Sequence, residues 1–394
     1  MSLHGEKVTV LGAGVAGLAV ARALALRGAA VTVLEQADAI REVGAGLQIS
    51  PNGAAVLRAL GLEPELDRLG QRADAVELMD GLDDTPVMRM DLSRSSAGQG
   101  FRFLHRADLI DLLARGARES GVEIRLLQKV KTVDLSGPRP RVTTAQGGEI
   151  ETGLLIAADG LHSPTRTALC GAGKAIFTNQ VAWRAVLPND SPIPPVAEVH
   201  MGPGRHLVTY PLRGGTLRNI VAIEERPRWA EESWALRDDP MELRLAFKDF
   251  GPRVRGWLDQ VQDVWLWGLF RHPVARTWTK DMAEGAVAIL GDAAHPTLPF
   301  LAQGANMALE DAFVLAQALD THDDRAEALA SYQAARAPRC KKIVEAANRN
   351  ARAYHLSGPL RSVAHLGLKI GSTLLPDFAL SRFDWIYGHD VTAG

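Results

Sequence analysis

The sequence predicts an α/β protein whose nucleotide-binding domain is interrupted by an inserted, mainly antiparallel β-sheet and completed by C-terminal helices. Three observations carry this. A strand, a glycine-rich turn, a helix and a second strand occupy residues 7–35; two further apolar strands at 154–158 and 286–290 each end in an Asp beside a Gly; and the intervening stretch from about 177 to 285 changes texture, with alternating strands, Pro and Gly turns and most of the tryptophans.

The first unit runs Val8-Thr-Val-Leu11, then Gly12-Ala-Gly14-Val-Ala-Gly17, then a helix rich in Ala and Leu, then Val31-Thr-Val-Leu34. This turn fits a dinucleotide fingerprint because it follows a strand and opens a helix. Gly12 makes the turn, Gly14 lets backbone approach a pyrophosphate, and Gly17 lets helix and strand pack closely. Helix N-terminal amides then face the phosphates. Glu35 ends the second strand, where a carboxylate accepts hydrogen bonds from a ribose diol.

Helical patterns follow near 52–60 and 106–119, and strand patterns near 73–80, 122–134 and 141–145. Leu154 to Ala158 and Ala286 to Leu290 read as buried parallel strands, so Asp159-Gly160 and Gly291-Asp292 fall at strand C-termini, where α/β folds bind ligands. Either Asp taken alone reads equally well as a helix cap. A helical pattern then runs from about 304 through 350, and a helix opening near Gly304 aims its positive end into the cleft between the domains. The boundaries predicted are 1–176, 177–285 and 286–394, with strands near 73–103 available to the inserted sheet.

A chain of 394 residues exceeds one simple core, and a formal charge of -2 gives no reason to expect nucleic acid. Residues 1–7 lack the pattern of a signal peptide, and no apolar run is long enough to span a membrane. Cys170 and Cys340 lie 170 positions apart and form no CxxC, which points to two reduced thiols and a cytoplasmic enzyme without a metal cluster. His295-Pro296 reads as a turn position, since no second ligand stands at metal spacing. Small-molecule partners remain, with no nucleic acid and no membrane; a homodimer stays open.

Five ordered motifs then resemble the class A flavoprotein aromatic hydroxylases, in the salicylate, 3-hydroxybenzoate and 6-hydroxynicotinate branch. They are the fingerprint with Glu35, Gly44-Ala-Gly-Leu47 leading to Ser50-Pro-Asn52, Leu104-His-Arg106-Ala-Asp-Leu109, Ala158-Asp159-Gly160 with Ser163 and Arg166, and Leu290-Gly-Asp292-Ala-Ala-His-Pro296. The resemblance spans nearly the whole chain and implies a p-hydroxybenzoate hydroxylase-like fold, with a Rossmann-like FAD-binding domain and a β-sheet substrate domain. By it, Gly12, Gly14, Ala16, Gly17, Glu35, Gln36, Arg41, Arg106, Val130 and Asp292 hold FAD, with Gly46, Leu47, Gly304, Ala305 and Asn306 nearer the isoalloxazine. Asp159 and Gly160 belong to a motif the family uses for FAD and for the nicotinamide donor. Only one dinucleotide fingerprint is visible, as expected where NAD(P)H has no domain of its own.

The implied activity is hydroxylation of a small phenolic or pyridine carboxylic acid with NAD(P)H and O2, through a flavin hydroperoxide. His206 and Tyr210, four apart on a predicted strand, share a face and resemble a pair that handles the substrate hydroxyl, His206 as base. Without the resemblance, a strand His reads more readily as core or surface. Gln48, Pro299 and Gln303 are further substrate-binding candidates, and Arg184 and Arg213 suit a carboxylate by bidentate pairing, although either Arg serves equally in a structural ion pair. The rivals are the same fold acting on a larger non-phenolic substrate, and a flavin-binding sensor that does not turn over.

Overall fold

The structure, a computed structural model, describes residues 3–40, 45–93, 100–190, 193–226, 236–374 and 381–393; the side chains of 351–353 and 371–374 are left aside. Arg41, expected at the cofactor, lies outside the described residues.

The chain opens with β1 (Lys7–Leu11), α1 (Val15–Ala25) and β2 (Ala30–Leu34), the βαβ unit read from sequence. Next come β3 (Gly46–Ile49), α2 (Pro51–Ala59), α3 (Glu63–Leu69), β4 (Gln71–Arg72), β5 (Ala75–Asp80), β6 (Thr85–Asp91) and β7 (Arg102–His105). α4 (Arg106–Glu119), β8 (Glu123–Arg125), β9 (Val130–Asp134), β10 (Arg141–Thr144), β11 (Glu149–Glu151), β12 (Leu154–Ala157) and α5 (Pro164–Cys170) follow. The large sheet is then laid down by β13 (Ile176–Pro188), β14 (Val196–Gly202), β15 (Arg205–Leu212), β16 (Leu217–Glu225), β17 (Arg237–Asp238), α6 (Pro240–Ala246), α7 (Pro252–Asp259) and β18 (Val264–Arg271). The chain returns through β19 (Thr279–Asp281) and β20 (Ala286–Ile289) to α8 (Gly304–Thr321), α9 (Arg325–Tyr354), α10 (Gly358–Leu374) and α11 (Asp384–Tyr387).

A six-stranded sheet runs β19-β20-β12-β1-β2-β8. All its pairs are parallel except β19 with β20. β12 and β20 are buried at every position, which is why they appear in the sequence as unbroken apolar runs. α1 and α8 pack together beside this sheet and share its core. The segment read as one strand at 122–134 is two, because Arg125 ends the pairing with β2 and Val130 starts a separate three-stranded sheet. Likewise the helical run 304–350 is broken at 322–324, where the Asp324 side chain accepts the Glu327 amide and caps α9.

The second large sheet has eight strands in the order β17-β18-β13-β16-β15-β14-β5-β6. It is antiparallel except where β14 pairs parallel with β5, a strand from the segment near 73–103. β19, inside the span assigned to the insertion, pairs instead with β20 of the first sheet. One face of the large sheet is closed by α6 and α7, with Trp183, Leu207, Ile220 and Ala222 packed on Leu243, Phe247, Val254 and Leu258. Strand alternation then turns His206, Val208 and Tyr210 to the other face. Among the described residues no helix is long and apolar enough to cross a membrane.

Candidate active site and cofactor cradle

Strand order brings the expected cofactor residues to one edge. β20, β12, β1 and β2 are neighbours, so Asp292, Asp159, Gly12 and Glu35 all follow the carboxyl ends of adjacent strands. Gly12 has φ +91°, and a Cβ there would sit 2.5 Å from the Ala158 carbonyl oxygen; at Gly17 it would sit 1.9 Å from the Gly12 oxygen. At Gly14 nothing lies within 4 Å, leaving the approach open. Ala16 packs under Gly291, where an added Cβ would be 2.8 Å from the Ala16 methyl.

The Glu35 carboxylate accepts the Ala13 amide at 2.7 Å and the Ala37 amide at 2.9 Å, so it fastens the turn. Gln36 is exposed beside it. Asp159 receives the Thr165 hydroxyl at 2.8 Å on one carboxylate oxygen, while its other oxygen is buried with no protein partner. Burial pushes this carboxyl up. Gly160 (φ +76°) has no atom near its Cβ direction, and Asp292 stands exposed on a 3-10 turn. An orphaned buried oxygen beside open glycine backbone is what a polyol and pyrophosphate would complete, so the residues fit FAD. Arg106 opens α4 and donates its amide to Ala45 at 3.0 Å; Val130 is half-buried at the start of β9.

On the ring side, Asn306 is a backbone staple. Its side chain accepts the Ser50 amide (3.0 Å) and donates to the carbonyls of Gln48 (3.1 Å) and Ala302 (2.9 Å). That fixes β3, with Gly46, Leu47 and Gln48, against the N-terminus of α8, where Gly304 and Ala305 are half-buried. Gln303, expected to bind substrate, is instead 2% exposed and bonded to Ser50 (2.9 Å) and Asn52 (3.1 Å). Both ends of its amide are used, so it braces the loop. Pro299 opens a 3-10 turn that sets Leu298 and Phe300 in the apolar cluster with Val221 and Trp267.

His295 is not a plain turn residue. It is ion-paired with Asp311, which also accepts Arg336 at 2.8 Å. Burial pushes the ring down, but the Asp311 charge outweighs this and holds it protonated. Cys340 brings a third ligand-type atom within 4.8 Å, yet the Arg336 guanidinium, 3.5 Å from its sulfur, already supplies the cation. Glu310 completes the cluster with Arg336, Arg339 and Asn52.

The cleft face of β15 carries the catalytic candidates. His206 and Tyr210 share it at roughly 13 Å along the strand, at ~3.3 Å per residue. Directly opposite on β16 stand Ile223, Val221 and Asn219. Tyr210 stacks on Phe103 (5.1 Å, 25°), and burial pushes its phenol far up, keeping the proton on it. His206 is 1% exposed, and its Nδ1 lies 2.6 Å from Nε2 of His355. Burial, then His355, holds its pKa well down, leaving a neutral ring. Arg184, which pairs in register with Val221, lays its guanidinium 4.2 Å over the Trp267 ring. Arg213 is half-exposed and forked onto Asp108 (2.7 and 3.0 Å), the structural ion pair that stood as its alternative role. Sequence reasoning missed Asn219, whose side-chain oxygen accepts the Gly46 amide at 2.7 Å, and missed His355.

A glycine-turn α/β sheet joined in one chain to a second, mostly antiparallel sheet is the frame of an FAD-dependent monooxygenase, as the relatives of this chain show. Residues 6–347 match the family described as FAD binding domain, and the chain belongs to it. It is 36% identical over 398 residues to a 3-amino-4-hydroxybenzoate 2-monooxygenase of Streptomyces cremeus, covering 98% of this chain and 96% of that protein. A 3-hydroxybenzoate 6-hydroxylase of Polaromonas naphthalenivorans (strain CJ2) is 34% identical, with 98% and 96% covered. In fold it is similar to Klebsiella pneumoniae HpxO, crystallised with FAD and uric acid, with TM-score 0.82 at 24% identity, covering 94% of this chain and 95% of that one.

Proposed function

We propose that this enzyme hydroxylates a small phenolic or pyridine carboxylic acid at the expense of NAD(P)H and O2. The observation that carries the reading is the cleft face of β15. A neutral base (His206) and a protonated phenol (Tyr210) flank the apolar strip formed by Val208, Val221, Leu298 and Phe300. FAD supplies the oxygen activation when bound.

The protein's own residues do the rest. His206 takes the hydroxyl proton of the substrate and makes the ring more nucleophilic. Tyr210, at the other end of that strip, keeps its proton and donates a hydrogen bond to the bound acid from there. Arg184, held flat by Trp267, faces the carboxylate, and Gln48 with Pro299 closes the pocket toward the flavin loop. The apolar walls exclude water from the reacting carbon. Gly12, Gly14, Ala16, Gly17, Glu35, Gln36, Arg106, Val130, Asp159, Gly160 and Asp292 hold the dinucleotide, and Gly46, Leu47, Gly304, Ala305 and Asn306 border the ring. Cys170 and Cys340 are both free thiols, in keeping with the reducing cytoplasm.

The test is oxidation of NADH and of NADPH by the FAD-loaded enzyme across a panel of hydroxybenzoates, aminohydroxybenzoates and hydroxynicotinates, with products weighed. Stimulated oxidation with gain of one oxygen supports the reading. No stimulation by any acid, with turnover of a bulkier non-phenolic compound, overturns it.

A further inference from the structure

Behind His206 the structure holds a line of proton carriers that the hydroxylation reading does not require. The Nδ1 of His206 meets Nε2 of His355 at 2.6 Å, and Nδ1 of His355 meets Oε1 of Glu225 at 2.8 Å. The three come from β15, the end of α9 and the end of β16, 149 and 130 positions apart along the chain. His206 is 1% exposed and His355 7%, whereas the Glu225 side chain is 52% exposed. The line therefore leads from the sealed face of the sheet to water.

Hydrogen-bond roles along it are fixed in sequence. A carboxylate only accepts, so His355 must donate from Nδ1. A neutral imidazole carries one N–H, so Nε2 of His355 is then an acceptor, and His206 must donate to it from Nδ1. That leaves the lone pair of His206 on Nε2, the nitrogen turned away from His355. His355 and Glu225 thus set the tautomer a base requires. Other groups around the pair are accounted for: Arg205 opposes a charge on His355 and sits 3.9 Å from Glu224, Arg226 pairs with Glu224 at 3.3 Å, and burial pushes the Tyr354 phenol up to about 12.

We propose that His355 and Glu225 form a proton outlet for His206, carrying the substrate's hydroxyl proton to solvent. This rests on the reading of His206 as the base. The step balances: the substrate O–H breaks and its proton binds Nε2 of His206; the Nδ1 proton of His206 passes to Nε2 of His355; the Nδ1 proton of His355 passes to Glu225 and on to water. Nothing is oxidised or reduced. Running the line backwards reprotonates the product and restores the tautomers. His355 and Glu225 are positioning residues in this scheme, since neither touches substrate.

The experiment uses the holoenzyme and two readouts. Imidazole 15N NMR without ligand, assigned with His206→Gln and His355→Gln, is expected to find both rings protonated at Nδ1; an Nε2–H tautomer at His206 overturns the proposal. The second readout is proton release, followed with a pH-indicator dye while 3-amino-4-hydroxybenzoate binds. Glutamine at 355 retains one acceptor and one donor but cannot pass a proton, so His355→Gln is expected to leave Kd within about twofold. It should slow proton release at least about tenfold near pH 7. The deficit should close as pH rises toward the phenol's own pKa, about 10. An unchanged release rate, or a deficit that ignores pH, overturns the relay. If the wild-type holoenzyme binds neither this acid nor any other in the panel, the substrate reading fails instead, and the tautomer measurement still decides the relay.

Discussion

The Asn219 side-chain oxygen accepts the Gly46 amide at 2.7 Å, tying the middle of the large sheet to the start of β3 across 173 residues of sequence. A Cβ at Gly46 would lie 2.6 Å from the Tyr210 ring and 2.8 Å from Asn219. Asn219→Ala leaves a buried amide unsatisfied, at a cost of about 1–3 kcal/mol. The expected outcome is more NAD(P)H oxidised per product formed, read as hydrogen peroxide against hydroxylated acid; unchanged coupling would mean the two sheets do not need this tie.

Arg184 and Arg213 make a paired test of how the carboxylate is held. Arg184→Ala is expected to raise KM at least about tenfold, the loss of one charge-assisted hydrogen bond of ~1.5–3 kcal/mol. Arg213→Ala removes only an exposed ion pair worth ~1 kcal/mol or less, so KM should stay near wild type. Steady-state kinetics with the best acid of the panel distinguishes the two.

Gly17→Ala places a methyl where the Gly12 oxygen already lies 1.9 Å away. Since the helix must move off the strand, the purified protein should lose most of its flavin absorbance. Gly14→Ala, with no neighbour within 4 Å, should fold normally and weaken FAD alone.

Arg336 is 1% exposed and answers both Glu310 and Asp311. Arg336→Ala removes one of the two cations that serve each buried carboxylate, leaving Arg339 on Glu310 and His295 on Asp311, which should cost about 1–3 kcal/mol. Thermal unfolding of the holoenzyme would register it as a fall in Tm, and retention of wild-type Tm would show that the cluster reorganises freely.

Acid should also find the paired histidines of β15 and the end of α9. His206 and His355 are both held below the usual histidine value by burial. The unfolded chain then binds more protons than the folded one once pH drops below about 6.5. Stability should therefore fall on acidification from 7 toward 5, and fall less in His206→Gln. His295 has the opposite sign: held high by Asp311, it contributes stability that is complete below about 6.5 and lost only as pH rises through its elevated folded value.

What sequence revealed and what it hid follow from chemistry at different ranges. β12 and β20 were legible because burial on both faces writes an unbroken apolar run, and parallel neighbours put Gly12, Asp159 and Asp292 at one edge whatever the rest of the fold does. The pairing of β14 with β5 was not, since its partners lie over 100 positions apart with no turn to set register. For the same reason Asn219, His355 and Glu225 read as ordinary polar residues until Gly46 and His206 were seen beside them. His295 misled because its acid stands 16 positions on, inside α8, where helix pattern rather than ligand spacing governs the reading.

The large sheet is assembled from pieces on either side of β7 through α5, with β5 and β6 contributed by the first stretch of chain and β13 to β18 by the second. Recombination between relatives is constrained accordingly. A chimera that exchanges only 177–285 would graft foreign strands against a resident β5 edge and import a His206 whose partner, His355, stays with the recipient. Productive crossovers must carry 75–91 and the end of α9 along with the insertion, so pocket specificity should be inherited in such chimeras as a three-part block.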